Sequence, residues 1–97
     1  MSDFESQIRQ LKEKTETNRL QFLRTELVTC SIAVDRARYE QSLGDTDEAA
    51  KELATASRGA EVIEKFLAEA PSPHPEIESA LKELKKSLES LRSDLNG

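Results

Sequence analysis

The chain has 97 residues, enough for one small domain, with 36% hydrophobic and 34% charged residues and only 4% aromatic. That balance suits amphipathic helices and excludes a β-sandwich, which needs frequent turns and many β-branched or aromatic residues. The net charge of −5 argues against nucleic acid, because a phosphate backbone calls for a basic face. Residues 1–44 carry seven charges of each sign, whereas residues 45–97 carry seven basic against twelve acidic residues. The deficit therefore belongs to the second half, as a solvated acidic helix surface or a face for a basic partner.

The first helix is expected over about residues 3–43. Ser2 and Glu5 have the spacing of a capping box, and no Gly or Pro follows before Gly44. The most apolar run, Leu27 to Val34, falls far short of the ~20 residues that span a bilayer. Its β-branched residues could also form a short strand, but it lies in phase with a helical stripe and is read as helix. Residues 1–5 are acidic and lack the basic start of a signal peptide. With a single cysteine, Cys30, this points to a reducing, cytoplasmic setting and no membrane.

Gly44 suits the left-handed residue that closes a helix, and Asp45 the N-cap of the next, with Glu48 three positions on. The second helix is expected over 46–70. The proline-rich turn at 71–75 stops it. His74 is placed as N-cap of the third helix, exposed to solvent, with Pro75 in the first helical position. That helix runs over 75–95, with Asn96 and Gly97 ending it. The fold class is all-α, a single domain over 1–97 built on an antiparallel helical hairpin plus a third heptad helix.

Stripes at three- and four-residue spacing set a register. Helix 2 carries Ala49, Leu53, Ala56, Ala60, Ile63, Leu67 and Ala70; helix 1 carries Leu20, Leu23, Leu27, Cys30, Val34, Ala37 and Gln41. Folded about Gly44 and Asp45, every stripe residue meets another whose number brings the sum to 90. Large faces small near the turn, and Leu faces Ile or Leu away from it. Helix 3 carries Ile77, Leu81, Leu84, Leu88, Leu91 and Leu95. A sum of 99 sets these against Phe22, Asn18, Thr15, Leu11, Ile8 and Phe4, which gives a long rod with helix 3 along the first half of helix 1. Helix 3 folded back as a three-helix bundle, or exchanged between two chains, are the other arrangements.

Helix 1 has a second apolar face, Val28, Ile32, Tyr39 and Leu43, roughly opposite the first. In the bundle it would receive helix 3. In the rod it would be exposed, and a second copy would cover it as a homodimer. These four residues are the candidate partner interface.

The inventory for chemistry is thin. There is one His, one Cys and no Glu-x-x-His pair, and the glycines are isolated rather than gathered in a phosphate loop. No catalytic, cofactor or metal residues are assigned, and the chain is read as a non-enzyme. Cys30 is a core residue, and Gly59 lies where helices pack closely. Glu48 with Lys51 and Glu61 with Lys65 have helical ion-pair spacing.

Residues 33–57, with Ala37, Tyr39, Leu43, Gly44, Asp45, Ala49, Leu53 and Ala56, resemble the middle of a tetratricopeptide repeat. They differ from that family in helix 2's length, the late first proline at Pro71 and the lack of a second copy. The resemblance implies a helical hairpin and protein binding, without the peptide groove that stacked repeats make. The function expected is a protein–protein interaction or oligomerisation module acting through the apolar helix face. The alternative is a small-ligand-binding or regulatory helical domain, with a cavity among Cys30, Ala56, Gly59 and Ala60.

Overall fold

The computed structural model describes residues 2–96, and the side chains of all of these except 2–4, 8 and 11–14. Its described residues form three helices: α1 (Ser2–Ser42), α2 (Thr46–Glu69) and α3 (Pro75–Asn96). None is long and apolar enough to cross a membrane.

Local chemistry fixes both connections. At the end of α1 the Gly44 N–H donates to the Gln41 carbonyl (3.0 Å) and the Asp45 N–H to the Glu40 carbonyl (2.9 Å). This paired closure needs a left-handed residue, and Gly44 supplies it with φ +83°. The Asp45 carboxylate then accepts from the Glu48 N–H at 3.2 Å and caps α2. At the other connection Ala70 precedes Pro71, whose ring excludes helical geometry from the residue before it, and Ala70 is extended at ψ 137°. His74 caps α3 through its carbonyl, which accepts from the Glu78 N–H at 2.9 Å.

α1 and α2 form the antiparallel hairpin in the expected register. Leu23, Cys30, Val34 and Ala37 of α1 are buried, as are Ala49, Leu53, Ala56, Ala60 and Ile63 of α2. Phe22 and Phe66 stack at a tilt with ring centroids 5.2 Å apart. A Cβ built on Gly59 would overlap Cys30 Sγ, so the two helices touch through a sulfur set against bare backbone.

The rod expected for α3 is not formed. α3 turns back and runs antiparallel to α2, tied by Lys85 to Glu64 (2.6 Å) and by Arg92 to Ser57 (3.2 Å). Both pairs sum to 149 in residue number, which fixes that register. α3 also runs parallel to α1, with Arg24 3.9 Å from Glu76. Ser31, Val34 and Asp35 of α1 line one groove with Glu83, Leu84 and Ser87 of α3. Within the one chain the three helices thus close as a three-helix bundle. The physical reason is visible in the rejected register, which places Leu81 and Leu84 over Asn18 and Thr15. Folding back sets the same leucines into the seam between two apolar stripes. Ile77, Leu81, Leu84, Leu88 and Leu91 are all buried there, in one core with the hairpin residues. Burying a large aliphatic side chain stabilises by about 1.5–3 kcal/mol, so the two leucines that the rod sets against polar residues weigh for the bundle.

The molecule measures 65 × 17 × 16 Å. α1 has 41 residues against 24 in α2, so it is longer by about 25 Å at 1.5 Å per residue. Its first turns project past the bundle. The side chains of Phe4, Ile8 and Leu11, which the rod set against α3, lie outside the described residues.

Candidate functional site: the outward face of helix 1

α1 is the shared helix of the bundle. α2 packs on one side of its first stripe and α3 on the neighbouring side, because α3 gains more from a groove between two helices than from one helix alone. The second apolar face was expected to receive α3 in a bundle, and it does not. Val28 is 59% exposed, Ile32 47%, Tyr39 65% and Leu43 65%. One helix spaces them 4, 7 and 4 residues apart, so they form a strip about 22 Å long.

Three hydroxyls bordering the strip are already satisfied. Thr25 Oγ1 donates to the Gln21 carbonyl and Thr29 Oγ1 to the Thr25 carbonyl, each at 3.0 Å. Ser42 Oγ donates to the Tyr39 carbonyl at 2.6 Å. Covering the strip would orphan none of these donors. Asp35 and Arg36 flank its middle, both exposed.

A second, smaller apolar patch was not foreseen. Phe22 (41% exposed) and Val62 (38%) lie with half-buried Phe66 along the side of the hairpin away from α3. The residue sum of 99 sets Phe22 against Ile77 of α3 instead. The signal that would have found the patch is Phe66 beside the α2 stripe, across from Phe22 near the register of 90.

The remaining candidates are accounted for by packing and capping. Cys30 is 2% exposed. Burial pushes its thiol above the ordinary value, and the Glu26 carboxylate adds to the shift. Cys30 Sγ fills the space over Gly59, where the sequence offers a cavity, and Ala56 and Ala60 are buried as well. His74 is not the exposed cap that its neighbouring prolines predict. Its side chain is 15% exposed, with Nε2 2.8 Å from Glu16 Oε1, and it fastens the start of α3 to α1. Glu48 and Lys51 form their pair at 3.1 Å, which raises the lysine pKa. Glu61 and Lys65 form no ion pair among the described residues. Their neighbour Glu64 reaches across to Lys85 instead.

One carboxylate is poorly placed. Glu40 Oε2 is buried without a hydrogen-bond partner. Desolvation raises the Glu40 pKa, and the charges of Glu52, Glu48 and Asp45 raise it further, against a smaller opposing pull from Arg36. Among the described residues no three His, Cys, Asp or Glu side chains gather as a metal site requires.

Compared with known proteins, the chain matches no family model, no curated protein and no solved structure.

Proposed function

We propose that this chain is a non-enzymatic helical module of the cytoplasm that binds protein through Val28, Ile32, Tyr39 and Leu43, with a second copy of itself as the partner. The observation that carries this reading is the exposure of four large apolar side chains on one helix face. By contrast Leu23, Cys30, Val34 and Ala37 on the other face of the same helix are buried. A contiguous apolar strip on an otherwise charged surface marks an interaction site. The self-satisfied hydroxyls along its edges support burial there. The resemblance of residues 33–57 to a tetratricopeptide hairpin adds a family whose helical hairpins bind proteins.

Sedimentation equilibrium tests the proposal. The wild type should be dimeric at tens of micromolar, and Ile32→Glu with Tyr39→Glu should make it monomeric while leaving its helical circular dichroism unchanged. A wild-type chain that stays monomeric throughout that range refutes self-association.

A further inference from the structure

Self-association through the outward face of α1 leaves open how the two copies are oriented, and the charges beside the strip bear on that. Resting on the self-association reading, we infer that the pair is parallel: the two α1 helices run side by side in the same direction, with Asp35 of each copy against Arg36 of the other.

A two-fold interface uses the same patch on both copies, so the patch must complement itself. The apolar residues do not choose an orientation. Their spacing of 4, 7 and 4 reads the same in both directions. A parallel pair sets each residue against its own copy, and an antiparallel pair sets Val28 against Leu43 and Ile32 against Tyr39. The flanking charges do choose. Asp35 and Arg36 are consecutive, hence about 100° apart around the helix, and they lie on opposite edges of the strip. Both are exposed, and among the described residues neither forms an ion pair within its chain.

A two-fold axis along the helices brings the left edge of one copy to the right edge of the other at the same height. Asp35 then meets Arg36 twice. An axis across the helices keeps each edge with its own counterpart, so Asp35 meets Asp35 and Arg36 meets Arg36 near the centre. Opposite charges favour the first arrangement, and like charges penalise the second. α2 and α3 pack against the buried stripe of α1, opposite the apolar strip, and Asp35 stays exposed although it also borders the groove to α3.

Charge exchange tests this. The dissociation constants of wild type, Asp35→Lys, Arg36→Glu and the double variant are measured by sedimentation, together with an equimolar mixture of the two single variants. In the parallel pair each single variant creates two like-charge contacts and should weaken association about tenfold. The double variant and the mixed pair should recover wild-type affinity, and 1 M salt should flatten the series. A second measurement reads orientation directly. Val28→Cys should form a disulfide with Val28→Cys of the second copy, because buried Cys30 does not compete. A dimer that instead links Val28→Cys to Leu43→Cys, or whose single variants associate as tightly as wild type while their mixture associates more tightly, overturns the parallel arrangement and leaves self-association standing. A chain that is monomeric at every concentration overturns both.

Discussion

Gly59 sits in the middle of α2, where replacing glycine with alanine ordinarily stabilises a helix by roughly 0.8–1 kcal/mol. In this molecule the sign should reverse. The new Cβ would overlap Cys30 Sγ, and Cys30, at 2% exposure, is enclosed in the core between the helices. Either the sulfur takes a poorer rotamer or α1 and α2 separate locally, and overpacking of that kind costs about 1–3 kcal/mol. Gly59→Ala alone should therefore lose roughly 1 kcal/mol net, which in a domain of this size lowers the melting temperature by about 4–8 °C. With Cys30→Ala in the background the sulfur is gone, and the same substitution should gain its full helical benefit of about 1 kcal/mol. The two changes should thus couple by about 2 kcal/mol in a double-mutant cycle read from urea unfolding. If Gly59→Ala stabilises the wild type, or if the two substitutions add to within about 0.3 kcal/mol, the close approach of α1 and α2 at this point is not what holds the glycine there.

Gly44→Ala should destabilise by about 1–2 kcal/mol for a different reason. No atom lies within 4 Å of the added Cβ, so the whole effect is the left-handed backbone at φ +83°; Gly44→Asn should lose less. Glu40→Gln should stabilise the fold at pH 7. A carboxyl whose folded pKa lies above the ordinary 4.5 binds its proton more tightly in the native state. Its favourable contribution is therefore complete below the ordinary value and lost as pH rises through the folded one. The gain from Glu40→Gln, followed by melting temperature, should accordingly be larger at pH 7 than at pH 4; an equal gain at both would contradict the raised pKa. Native Cys30 should react slowly with a thiol-specific chromogenic reagent and rapidly in denaturant, since burial both shields the thiol and opposes thiolate formation.

The hairpin was legible in the sequence because its determinants are local. Gly44 and Asp45 place the turn by themselves, and the register follows from counting outward along two stripes. The position of α3 was not legible. A leucine stripe states that it needs an apolar partner but not which one: a residue sum of 99 lays it along α1, whereas the bundle ties α3 to α2 through Lys85–Glu64 and Arg92–Ser57. What separates them is whether Leu81 and Leu84 meet Asn18 and Thr15 or enter the seam of the hairpin. That is a tertiary comparison, which no single helix encodes. Likewise nothing near His74 announces Glu16, 58 positions away. The candidate face was legible as a second set of apolar residues on α1. Its exposure was not, because that depended on where α3 went.

Asp45 serves two helices at once, its N–H closing α1 and its carboxylate opening α2. No residue at this corner is free to take up slack, so the corner acts as a rotational lock between the two helices. One residue inserted after Gly44 would turn α2 by about 100° about its own axis and swing its alanines away from Val34 and Cys30. Lengthening the five-residue segment at 70–74 meets no such lock, because His74 starts α3 afresh. The two corners of this small bundle should therefore tolerate changes in length very unequally: the first is quantised by helical phase, and the second is elastic.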